Sequence, residues 1–182
     1  STAACDHLEE AMFPIETLAP TYLVTTTLIP SGVPKAEMVR VVATESLTTV
    51  TYDPPQPSAP TILANPGDYF EINQTAADFQ ITGDKPIYVA QYALSQQAGG
   101  NTGDPAMAMA VATEQYRDEY LFHAPTNYEV NYVNIMAPDG AVIVLDGAQV
   151  GGFTPIGSSG YSVARVTLSN AGDGNHYIMG DQ

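Results

Sequence analysis

Short runs of β-branched and tyrosine residues recur along this chain. Each is closed off by proline, glycine, asparagine or aspartate, a rhythm that points to a β architecture. Tyr22 to Ile29 lies between Pro20 and Pro30. Met38 to Thr44 puts Val39, Val41 and Ala43 on one face and Arg40 on the other, the two-residue period of a strand. Thr48 to Tyr52 ends at Asp53-Pro54-Pro55, because proline cannot donate to a ladder. Shorter strands are expected at Thr61–Leu63, Asp68–Ile72 and Asp78–Ile81, with Asn65-Pro66-Gly67 turning between the first two.

Ile87 to Leu94 is apolar on both faces, as a strand covered on both sides would be. Val130 to Met136 and Ala141 to Leu145 resemble it, and Pro138-Asp139-Gly140 between them reads as a hairpin turn. Tyr161 to Leu168 alternates, and His176 to Met179 is a last short strand. Helix is scarce: a turn or two within Ala106–Tyr120 and one over His7–Met12. The expected fold is an all-β, antiparallel, sandwich-like domain with short helical turns. An extended segment over residues 1–20 precedes a single β domain over 21–182, itself part of a larger family domain or a shortened version of one. Pro54 to Pro60, rich in proline, reads as a stiff surface loop and not as a boundary.

Charge narrows the partners. Five lysines and arginines stand against 20 aspartates and glutamates, a formal charge of −15. Such a surface repels phosphate backbones and anionic lipid, which disfavours nucleic acid and membrane surfaces. It suits basic proteins and divalent cations, and the simplest reading of the charge is solubility. No apolar run approaches the roughly 20 residues that span a bilayer. The start at Ser1, without methionine, reads as that of a processed or excised segment. Cys5 is the one cysteine, so its disulfide partner would lie outside this chain.

Several segments together resemble a known family. HLEEAMFP, VRVVATESLTTVTYDPP, DFQITGDKPIYVAQY, GDPAMAMAVATEQYRDEYLFHAPTNY, NYVNIMAPDGAVIVLDG and GYSVARVTLSNAGDGNHYI occur in order over most of the chain. Their wording is similar to the N-terminal domain of the IgGFc-binding protein family, and closest to its myxobacterial-type surface proteins. The resemblance implies an extracellular or cell-surface location and an adhesive or protein-binding role. It carries no catalytic residues, and IgG binding itself is not carried over. Family members usually continue past the HYI motif, where this chain stops at Gln182.

The residues supply candidate sites of differing sharpness. The loop from Ser95 to Pro105, with Asn101 and Asp104, is the expected ligand-binding surface together with Arg117 and Tyr120, since loops display groups that a sheet supports. Asp139, Asp146 and Asp173 stand beside glycine or proline in turns and are the candidate calcium ligands, although aspartate and glycine are also ordinary turn formers. Cys5, Asp6, His7, Glu9 and Glu10 form a compact but terminal set of potential metal ligands. Gly157-Ser158-Ser159-Gly160 lacks the spacing of a nucleophile elbow and reads as a tight turn. Arg40, Arg117 and Arg165 are expected to pair with carboxylates. The leading functional reading is a noncatalytic extracellular module that binds protein or glycan, with calcium the only cofactor suggested. The alternatives are a subunit of a self-associating fibre or matrix, and a secreted hydrolase using His123 or His176.

Overall fold

The computed structural model describes residues 7–97 and 103–181, and their secondary structure is almost entirely β. They fall into two compact units, residues 1–115 and 116–182, each with its own core. The fold is all-β and antiparallel, as expected, with helix among the described residues confined to two 3-10 turns, Ile15–Thr17 and Thr113–Gln115.

The first unit holds β1 (Ala19–Val24), β2 (Glu37–Ala43), β3 (Thr48–Asp53), β4 (Ile62–Leu63), β5 (Tyr69–Thr75), β6 (Phe79–Ala93) and β7 (Ala106–Met109). All seven belong to one sheet organised around β6. The first half of β6 pairs with β1 on one side and β3 on the other, through Tyr22↔Ile81 and Tyr52↔Ile81. Its second half pairs with β2 and β7, through Val41↔Val89 and Ala90↔Met109. Both halves send side chains into one core that includes Tyr22, Val24, Val39, Val41, Val50, Phe79, Ile81, Ile87 and Val89. Burying such a side chain stabilises a fold by about 1.5–3 kcal/mol, so this cluster dominates the unit's stability.

Two strands had been expected where β6 runs without a break. Gly83-Asp84-Lys85-Pro86 looks like a turn in the sequence, but Gly83 allows the chain to bend within the strand. A Cβ placed on it would lie 2.6 Å from the carbonyl oxygen of Lys85 and 3.0 Å from Ile87 Cγ2. Gly83→Ala is therefore expected to cost about 1–3 kcal/mol of stability, read as a lower denaturant midpoint with unchanged slope.

Polar contacts fix the rest of this unit. The turn at Asn65-Pro66-Gly67 forms as expected, with the Asp68 N–H donating to Asn65 O and φ of +83° at Gly67. Arg40 pairs with a carboxylate, as its rarity suggested. Its Nε and Nη2 donate to Glu71 Oε1 at 3.0 and 2.6 Å, and Nη1 donates to the Tyr92 hydroxyl. The guanidinium lies about 5 Å from the ring centres of both Tyr69 and Tyr92. Glu71 first, then the neighbouring phenols, push its pKa further up.

The second unit holds β8 (Glu119–His123), β9 (Asn131–Pro138), β10 (Ile143–Leu145), β11 (Ala148–Gln149), β12 (Thr154–Pro155), β13 (Tyr161–Leu168) and β14 (Asn175–Gly180). One sheet has the order β11-β10-β14-β8 and the other β12-β13-β9. Ile135, Ala137 and Leu168 from the second meet Ile143, Leu145 and Ile178 from the first in a single core, a small sandwich.

Three expectations are narrowed or corrected here. Of the turn or two of helix expected within residues 106–120, one forms, the 3-10 turn Thr113–Gln115, and it is flanked by β7 and the start of β8. The alanine and methionine of Ala106–Met109 favour helix in isolation, but four cross-strand pairs with β6 override that preference. His7 to Met12 forms no helix, and its residues have no buried face to hold one together. Pro138-Asp139-Gly140 does turn, with the Ala141 N–H donating to Pro138 O, but it joins two different sheets. Asp139 ties the turn to β13 instead, through its N–H to Gly160 O and its carboxylate to the Ser162 hydroxyl.

Candidate functional site

The outer face of the β10–β14–β8 sheet is the most distinctive surface of the second unit. Along β14, burial alternates strictly: His176 and Ile178 face the core, while Asn175, Tyr177 and Met179 face solvent. Cross-strand neighbours share a face. Tyr177 therefore lies beside Leu121, Met179 beside Glu119, and Val144 beside Met179. Leu121 is 77% exposed, and Met179, Val142 and Tyr177 between 38 and 45%. An exposed apolar cluster of this kind, rimmed by charge, marks an interaction surface more often than chance.

Acids form the rim. Asp118, Glu119 and Asp181 are all exposed, and Asp181 accepts a bond from the Val142 N–H at 2.9 Å. Hydrogen bonding to Glu119, with Asp118 nearby, pushes the Tyr177 phenol up, which marks a negative potential over this face.

Arg117 and Tyr120, expected in the binding surface, come together at the entry to β8: the Arg117 N–H donates to the Tyr120 hydroxyl at 2.8 Å. Asp104 lies in the first unit, exposed just before β7. Asn101 and Cys5 lie outside the described residues. Leu121, Val142, Val144, Tyr177 and Met179 were missed as a site. The signal was present: in EYLFH, Glu119, Leu121 and His123 alternate as one strand face, but the sequence reading placed no strand there.

The three candidate calcium ligands occupy three separate turns. Asp139 accepts from Ser162; Asp146, between β10 and β11, accepts from the Tyr177 N–H at 2.9 Å and the His176 ring at 2.7 Å. Asp173, between β13 and β14, accepts from the backbone and side chain of Asn175. Among the described residues, no group of three or more histidines, cysteines or acids stands where it could hold a metal ion. His7 sits beside Glu9 at 3.2 Å, both largely exposed.

His176 and Asp146 have the look of a catalytic pair. The ring, however, is buried and stacked on Phe122, with centroids 5.4 Å apart, and its Nε2 is enclosed with no hydrogen-bond partner. With Nδ1 on Asp146, Nε2 is the atom that would have to reach a nucleophile. His123, the other candidate base, is exposed and contacts Asn175.

The His176 bond, reinforced by the Tyr177 N–H, holds the Asp146 carboxyl below its ordinary value. A depressed carboxylate stabilises the fold above its unfolded pKa of about 4 and loses that contribution as pH falls through the lower folded value. Asn175 depresses Asp173 in the same direction. Asp146→Asn should therefore flatten part of the fall in melting temperature below about pH 4. Asp146 has φ of +51°, which asparagine also tolerates, so the exchange isolates the charge. Unchanged acid sensitivity across pH 2–5 would contradict it.

Beside that turn, a cleft of about 460 Å³ lies between β10–β11 and β13, with Leu145 and Leu168 on its floor and Asp146, Gln149, Arg165 and Thr167 around it.

Antiparallel strands throughout, and in the second unit two sheets closing on one apolar core, place the chain among all-β, sandwich-like proteins. It belongs to the IgGFc-binding protein family: the family model described as "IgGFc binding protein" matches residues 1–182. No curated protein and no solved structure matches the chain. No helix is long and apolar enough to cross a membrane among the described residues.

Proposed function

We propose that this chain is a noncatalytic, extracellular protein-binding module that serves adhesion at a cell surface, in a bacterial member of its family. The observation that carries the reading is the exposed apolar face of β10–β14–β8 in a chain whose family is named for binding a protein. The enclosed Nε2 of His176 supports the noncatalytic part, because the best-placed base cannot meet a substrate. Direct binding of the full chain to immobilised IgG Fc, fibronectin and a glycan array tests it. Saturable binding to a protein that survives enzymatic removal of that protein's glycans is expected. Binding confined to the glycan array would shift the reading to a lectin-like module, and no protein binding at all would overturn it.

Assembly into a fibre is a second reading, favoured by Met12, Phe13 and Ile15, all exposed in the segment before β1. Such a segment could pack on a neighbouring subunit. Light scattering across concentration, with calcium, chelator and reductant, should then show growth that Phe13→Ser and Ile15→Ser abolish. A constant monomer would remove this reading and leave the first intact.

A further inference from the structure

The strand β8 combines an edge position with exposure. Among the described residues it pairs with β14 alone, and four of its five residues are exposed. Soluble proteins blunt such edges with lysine, proline, bulges or extreme shortness. Glu119-Tyr120-Leu121-Phe122-His123 has no lysine and no proline, and its register with β14 runs unbroken over five pairs. The other edges of five residues or more differ: β1 and β9 are half buried or better along their length, and the ladder of β5 with β2 is irregular near its end.

Acid is what guards β8. Asp118 and Glu119 stand at its start, and from Tyr116 to Gln182 the sequence carries seven acids against two arginines. A second copy would bring the same carboxylates and another net charge of −15 to this edge, which opposes self-pairing. A strand carrying lysine or arginine at alternate positions meets attraction instead.

We propose that the free edge of β8 takes an extended, basic segment of a protein partner as an added strand. One set of its alternate side chains would lie beside Glu119 and Leu121 and continue the apolar surface of Tyr177 and Met179. Backbone bonds along β8 would supply much of the affinity, and Asp118 and Glu119 the choice of partner. This inference rests on the protein-binding reading and adds to it a surface and a partner chemistry.

A synthetic ten-residue peptide alternating lysine and valine is the probe, with glutamate replacing lysine in the control. Calorimetry on the full chain should show saturable binding of the lysine peptide only. Amide exchange should slow along Glu119–His123. Asp118→Lys with Glu119→Lys should weaken binding roughly tenfold or more, and Leu121→Ser, which leaves the charge alone, should weaken it too. These side chains are exposed, so circular dichroism matching the parent establishes that the variants fold. Equal binding of the glutamate peptide, affinity unchanged in the variants, or protection at other strands would each overturn the proposal. The same variants separate it from the broader reading. A chain that still binds its protein target after Asp118→Lys and Glu119→Lys retains protein binding through another surface; a chain that binds the peptide at β8 but no protein keeps a competent edge and loses the broader reading.

Discussion

Replacing Gly174 by alanine is expected to destabilise the chain by about 2–5 kcal/mol, one of the largest effects of any single substitution here. Gly174 sits at φ of +78° in the turn that leads into β14. A Cβ there would lie 2.3 Å from Ala124 O and 2.9 Å from His123 Cε1. The first contact is with backbone, and the same stretch is bonded from the Ala124 N–H to Gly174 O, so neither side can move away without breaking that bond. Gly172 provides the internal control. It lies in the same turn at φ of +89°, yet nothing stands within 4 Å of its added Cβ. Gly172→Ala should cost only the left-handed conformation, about 1–2 kcal/mol. Chemical denaturation followed by tyrosine fluorescence suits a chain with eleven tyrosines and no tryptophan. Equal losses for the two variants would show that the crowding around Gly174 is relieved without cost.

Glu37→Ala should be comparably severe, with a loss of roughly 3 kcal/mol, because it leaves donors unpaired in a place water does not reach. Glu37 is 2% exposed, and its carboxylate accepts the Thr27 N–H at 2.8 Å, the Thr27 hydroxyl at 2.7 Å and Gln91 Nε2 at 3.0 Å. Gln91 also donates to Thr25 O, so one acid holds the connection between β1 and β2 against β6. Glu37→Gln keeps an oxygen for Thr27 but turns an amide toward the Gln91 amide. It should cost about 1 kcal/mol, the size of one net hydrogen bond. Denaturant midpoints of the two variants decide the matter: a Gln variant as weak as the Ala variant would mean that the charge itself, and not the pattern of donors, is what the site needs.

How much of this was legible depended on whether the signal was local. The Asn65-Pro66-Gly67 turn and the burial alternation of Met38–Thr44 are written in adjacent residues, and both appear in the structure. Arg40 could be read as a clamp because cations are scarce, but its two tyrosine neighbours lie on β5 and β6 and depend on register. The hairpin at Pro138-Asp139-Gly140 failed for the same reason. Three residues specify a bend, whereas the choice of β13 as partner for β9 is made by an eight-pair ladder more than 20 residues away. At the candidate site, Arg117 and Tyr120 were noticed for their chemistry. The apolar face beside them went unrecognised, since a strand only four or five residues long carries too few repeats to announce its period.

The shared strand of the first unit also dictates when that unit can be completed. On a growing chain, β1, β2 and β3 emerge well before their common partner at residues 79–93. Until it arrives, only the pairings of β2 with β5 and β3 with β4 are available, and Tyr22, Val39, Val41 and Val50 have no finished core to enter. Assembly of this half must therefore wait for contacts between distant residues, the kind that slow folding and leave apolar strands uncovered meanwhile. The extracellular role proposed above would turn that delay to use: a chain unable to finish folding before residue 93 is one that can still be threaded through a narrow exit.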